Sequence, residues 1–154
     1  MRRKIFLTLS LITFTALSAC MTPPTGLNLS LDRPTSQQRY RVEVHSLADP
    51  IAINKMHAWE IRLRSPSDEP VSGASFTVGG GMPQHGHGFP TQPKVTKDFG
   101  HGRYLLEGMK FSMPGWWELK LKVDGASGFD EITFNTIISS QPTSQTAARS
   151  DIQR

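Results

Sequence analysis

From Trp116 to Val123 the chain reads WWELKLKV, with Trp117, Leu119, Leu121 and Val123 alternating with Trp116, Glu118, Lys120 and Lys122. Successive side chains of an extended backbone point to opposite faces, so such a segment gathers its apolar residues on one side only as a β-strand. The same spacing recurs. Tyr40, Val42 and Val44 stand among Arg39, Arg41, Glu43 and His45, and Trp59, Ile61 and Leu63 stand among Glu60, Arg62 and Arg64. Ala74, Phe76 and Val78 flank Ser75 and Thr77, and shorter runs carry Tyr104 with Leu106 and Ile132 with Phe134. Turn-forming stretches separate these runs, at residues 65–70, at Pro114-Gly115 and at residues 124–128. No window of a dozen residues carries a helical stripe. The expectation is an all-β fold, an immunoglobulin-like antiparallel β-sandwich of about seven strands. Its core would hold Trp59, Phe76, Tyr104, Trp117 and Phe134. Trp116 falls on the outer face, where it would cover a sheet edge or meet a ligand.

The two ends of the chain read differently. Arg2, Arg3 and Lys4 precede an apolar run, residues 5–14, that is too short to cross a bilayer as a helix. Small residues then lead to the only cysteine, in Leu17-Ser18-Ala19-Cys20. This pattern resembles the lipobox of bacterial lipoproteins, which implies a signal peptide over residues 1–19 and acylation of Cys20. Met21 rather than Asp after the cysteine favours the outer membrane, by resemblance to known lipoprotein sorting. Residues 20–38, with Pro23, Pro24 and Pro34, read as a tether holding the domain off the membrane. Leu27, Leu29 and Leu31 nevertheless alternate, which equips this segment to dock along a sheet edge. Residues 139–154 are almost devoid of apolar side chains and read as a disordered tail. That leaves residues 39–138 as one sandwich-sized domain.

Charge and residue types narrow the function. The 17 Lys+Arg against 13 Asp+Glu of the 154-residue chain lose Arg2, Arg3 and Lys4 with the signal segment, leaving 14 against 13. Neither a nucleic-acid partner nor a polybasic membrane patch is expected, and membrane contact would come through lipid. With Cys20 committed to the anchor, the domain has no thiolate for catalysis or metal binding. There is no phosphate-cradling loop, no nucleophile-elbow spacing and no evident carboxylate pair. The expected protein is not an enzyme.

Methionine and histidine carry the remaining chemistry. The stretch Gly79 to Pro90 reads GGGMPQHGHGFP, placing Met82 beside Pro83 and putting His85 and His87 among glycines. Met56-His57 opens the run that carries Trp59, and Met113 precedes Pro114-Gly115. Thioether and imidazole together suit copper. In an extended His85-Gly86-His87 both rings would point to one side, and neighbouring prolines would restrict Met82 and Met113. His57 shares the inward parity of Trp59. All three clusters can converge at one end of a sandwich, although the two methionines would equally serve as plugs of the core. His45 and His101 read as solvated or turn histidines, and Met109 as core filler.

Taken together, Met82-Pro83-Gln84-His85-Gly86-His87-Gly88-Phe89-Pro90, Gly108-Met109-Lys110-Phe111 and Met113-Pro114-Gly115-Trp116-Trp117 make the chain resemble the YtkA-like domain family, related to FixH-type proteins. The resemblance covers roughly residues 40–138. It implies a periplasm-facing β-sandwich connected with copper handling or respiratory oxidase assembly, with candidate metal ligands His85 and His87, joined by Met82, Met113, Met56 and His57. The chain has a lipid anchor where a FixH-like protein has a membrane helix. The expected function is therefore a lipid-anchored periplasmic protein that buffers or delivers copper to an acceptor. The alternative is a metal-independent interaction domain contacting another envelope protein. A structural zinc site is disfavoured by the lack of cysteine ligands.

Overall fold

The computed structural model describes residues 22–140. The expected signal segment 1–19, Cys20 with its expected acylation, Met21 and all but the first two residues of the expected tail lie outside the described residues. Among the described residues nine strands follow one another: β1 (Asp32–Pro34), β2 (Arg41–Ser46), β3 (Met56–Arg64), β4 (Ser75–Met82), β5 (His87–Gly88), β6 (Lys94–Gly100), β7 (Arg103–Lys110), β8 (Gly115–Gly125) and β9 (Gly128–Ile138). A single 3-10 turn, Pro83–His85, joins β4 to β5.

The strands form two antiparallel sheets, one ordered β1-β2-β3-β7-β6 and the other β5-β4-β8-β9. Without the two shortest strands the orders become β2-β3-β7-β6 and β4-β8-β9. These are the A-B-E-D and C-F-G arrangements of a constant-type immunoglobulin domain. Immunoglobulin domains often join strands B and F by a disulfide, and here those strands are β3 and β8. They place Trp59 and Trp117 in the core instead, with Phe111 packed against both at ring-centroid distances of 6.4 and 5.3 Å.

Alternation accounts for the core. Val42 and Val44, Ile61 and Leu63, Tyr104 and Leu106, Leu121 and Val123, and Phe134 are all essentially inaccessible. Phe76 and Val78 are only half buried, because β4 lies near the rim of its sheet. Trp116 does take the outer face. There its indole nitrogen donates to Asn135 Oδ1 of the neighbouring β9 at 2.9 Å, so it covers that strand pair.

The segment expected to be a tether behaves otherwise from Thr22 onward. Leu31 packs against the core and its carbonyl accepts from Val44 N at 2.9 Å. Residues 32–34 then pair with β2. Of the alternating leucines Leu31 packs on the core while Leu29 stays exposed, and docking on the sheet satisfies the backbone of the segment.

Candidate metal centre

Three loops close one end of the sandwich: residues 47–55, residues 83–93 and residues 111–114. The predicted ligands all belong to this end, although they do not form one cluster.

Local backbone shape builds the His85/His87 corner. Gly80 and Gly81 have φ of 128° and 151°, and a Cβ on either would meet main chain. On Gly80 it would lie 2.0 Å from the Glu118 carbonyl oxygen, and on Gly81 2.2 Å from the His87 carbonyl oxygen. The glycines therefore let β8 and β5 close onto β4, which sets Met82 opposite His87 in the ladder. Gly86, in the left-handed region, ends the 3-10 turn and carries the chain back from His85 to His87. The two imidazoles end up 6.0 Å apart between ring centroids, both exposed.

His87 has a defined orientation. Its ring stands edge-on to Trp117 at 5.7 Å, and Phe89 stacks on the same indole at 5.6 Å with an 11° interplanar angle. Nδ1 of His87 donates to the Gly88 carbonyl at 2.9 Å. The carbonyl can only accept, so in the neutral ring this bond places the proton on Nδ1 and the lone pair on Nε2. Around this ring lies an open cleft of about 240 Å³, bordered by Met82, Gly86, Glu118 and Lys120. Glu118 is paired with Lys120 at 3.0 Å.

The methionines divide. Met82 is buried in the core beneath the corner, and its methyl would stand 3.0 Å from a Cβ added at Gly115. Met113 is partly buried at the same end, and its carbonyl accepts from the Trp117 indole at 3.1 Å. His57 is buried, as its parity predicts, but its Nε2 is engaged with the Ala52 carbonyl at 2.7 Å and its ring lies 6.1 Å from Phe111. Met56, one residue away, points to the opposite face of β3 and is 62% exposed. It borders a separate cleft with Gln92 and Glu107. Thus His85, His87, Met82 and Met113 share a corner, whereas His57 and Met56 stand on the other sheet. Among the described residues no three His, Cys, Asp or Glu side chains gather closely enough to hold a metal ion by themselves.

Several contributors escaped the sequence reading. The Gly88 carbonyl and the Trp117–Phe89 stack orient His87, and Gln84 Nε2 donates to the Thr22 carbonyl at 2.8 Å. Trp117 and Phe89 are visible in the sequence, but only as apolar residues. Nothing in the sequence signals the pairing of Gln84 with a residue 62 positions earlier.

Comparison with known proteins supports the fold. The family model described as YtkA-like matches residues 35–122. The crystal structure of a DUF4426 family protein from Pseudomonas aeruginosa PAO1 superposes with a TM-score of 0.50, covering 67% of this chain and 93% of that one at 15% identity. That likeness speaks to the fold alone. No curated protein matches the sequence.

Proposed function

The chain belongs to the YtkA-like family, and we propose that on this fold it serves as a lipid-anchored, periplasm-facing copper-binding protein that buffers or delivers the ion without catalysing a reaction. The observation carrying this reading is the His87 ring, held by the Gly88 carbonyl so that Nε2 is the open donor, 6.0 Å from the exposed His85. A backbone carbonyl on the other ring nitrogen is the usual way a ligating histidine is oriented. His85 and His87 would hold the ion, with Met82 opposite His87 in the ladder and Met113 bonded through its carbonyl to Trp117, on which the His87 ring stands edge-on. Imidazole accepts either copper oxidation state and thioether favours Cu(I), so bound copper would supply a soft, exchangeable centre. His57 and Met56 stand aside from that set.

A competition titration with Cu(I) and Cu(II) on the full chain in detergent tests the reading. One-to-one binding that survives strong chelators and disappears in His85→Ala/His87→Ala is the expected result. Equal affinity in the double variant would sink it.

A second reading has its own support. Gly80 and Gly81 are required by backbone packing whether or not an ion binds, which suits a shaped recognition loop on a metal-independent envelope lipoprotein. Crosslinking from exposed positions of residues 83–90 in native envelopes separates the two. A reproducible protein partner whose capture is indifferent to copper chelation favours the second reading.

A further inference from the structure

We propose that the end of the sandwich carrying His85 and His87 is the face that lies on the lipid bilayer, so that copper is exchanged at the membrane surface rather than with the open periplasm. The proposal rests on reading Cys20 as acylated and the corner as the copper site, and three observations carry it.

The first is the path of the N-terminal segment. Running backwards from β1, it follows the β9 side of the molecule, where Asn135 Nδ2 donates to the Asn28 carbonyl at 3.0 Å. It reaches the loop itself at Thr22, through Gln84. Only Met21 separates Thr22 from Cys20, and two steps along the chain span at most about 7 Å. A lipid on Cys20 therefore enters the bilayer beside the loop. The segment cannot act as a long spacer, because its length is used up along the domain.

The second is where apolar surface remains uncovered. Among the described residues the large exposed apolar side chains are Leu29, Leu47, Met56, Phe99, Phe129 and Ile137. Leu29, Leu47, Met56 and Ile137 surround the end that holds His85 and His87, while Phe99 and Phe129 are at the other. Grouped round the end where the lipid would enter, these four add apolar area that a bilayer can cover beside the acyl chains.

The third is charge. Lys110 stands opposite Met56 in the β3–β7 ladder and Lys55 precedes Met56 in the first loop, with Asp49 in the same loop and Lys94 opposite Glu107 on the neighbouring strands. Lysines that face a membrane surface are drawn to anionic lipid.

The test uses the full acylated chain in vesicles of phosphatidylethanolamine and phosphatidylglycerol containing a nitroxide-bearing lipid quencher. A fluorophore is attached through Gln92→Cys, at the loop end, or through Ala126→Cys, in the β8–β9 turn. The strand β8 has 11 residues, which puts the two labels about 35 Å apart along the sandwich. Loss of fluorescence at Gln92 and none at Ala126 is expected, and Leu47→Glu with Ile137→Glu should reduce the loss at Gln92. Equal quenching of both labels, stronger quenching at Ala126, or a chain that stays in solution overturns the proposal. Copper titration of the same vesicles is read separately, so a domain that docks as stated without binding copper refutes the copper reading and not the orientation.

Discussion

At the scale of single residues the glycines of GGGMPQHGHGFP have unequal roles, and their differences predict unequal losses. A Cβ on Gly79 meets nothing within 4 Å, whereas one on Gly81 meets the His87 carbonyl at 2.2 Å, and neither backbone can give without opening β5. Gly86 lies between these, with open space but a φ of 66°. Thermal unfolding should therefore rank three variants. Gly79→Ala should be within about 0.5 kcal/mol of the parent. Gly86→Ala should cost about 1 kcal/mol for the left-handed conformation, and Gly81→Ala about 2–3 kcal/mol as a forced backbone shift. Gly81→Ala should also weaken copper binding, because it displaces the carbonyl side of His87, and Gly79→Ala should not. A flat ranking would mean that the stretch is a pliable loop. The residue types of the corner were legible in the sequence, since histidine flanked by glycine and methionine fixed by proline name a chemistry. The orientation of His87 was not, because it depends on a main-chain carbonyl and on a Trp117–Phe89 stack assembled across strands. Met56 illustrates the same limit. Its residue type fitted the cluster, but strand parity turns it to the other face of the sheet.

Among the elements, legibility followed burial. Strands with one face in the core announced themselves by alternation, and the six runs read that way correspond to β2, β3, β4, β7, β8 and β9. β6 was missed because it is an edge strand whose residues are nearly all exposed and whose pairing with β7 is twice interrupted by register shifts. β1 and β5 are too short to show a period. What holds the N-terminal segment to the sandwich is also hidden in sequence, and it centres on the fully buried Asp130 of β9. Its carboxylate accepts from Thr35 Oγ1 at 2.6 Å, Gln37 N at 3.1 Å, Arg39 N at 3.1 Å and Glu131 N at 2.8 Å. These donors surround one end of the turn that leads into β2, so the acid ties the start of one sheet to the edge of the other. Asp130→Asn replaces one accepting oxygen by an amide that faces N–H donors. We expect a loss of about 1.5–3 kcal/mol, the range for a hydrogen bond to a charged group. Hydrogen exchange should speed up first at the Gln37 and Arg39 amides. Unchanged protection there would show that the segment is held by the β1–β2 ladder alone.

Over the whole molecule, two carboxylates on opposite sides of the fold give the domain a shared response to acid. Glu60, at the centre of the outer face of the first sheet, is bonded to Arg103 Nη2 at 2.6 Å and to Arg62 Nε at 2.9 Å. The Arg103 hydrogen bond is the main cause that brings its pKa from 4.5 to about 2, against an opposing push from burial. For Asp130, burial is the largest influence and would raise the pKa. The Thr35 hydroxyl and the amides of Glu131, Gln37 and Arg39 outweigh it and hold the group below 3.8. Both acids are thus more readily ionised in the folded state than in the unfolded one. The stability they contribute is complete above the ordinary carboxylate values and is lost as pH falls through the folded ones. Urea midpoints should accordingly be level from about pH 8 to pH 5 and fall steeply between about 4.5 and 2. The Glu60 share is at most about 3 kcal/mol, and less in practice because Arg62 and Arg103 are half exposed and screened by water. Glu60→Gln should lower stability at neutral pH and flatten the acid limb, while Asp130→Asn should remove the remainder. Because neither group touches the His85/His87 corner, copper affinity at neutral pH should be the same in Glu60→Gln as in the parent. A Glu60→Gln chain that keeps the full acid slope would place the response elsewhere. One that loses copper affinity would show that the ion pairs on the outer sheet help to shape the distant loops.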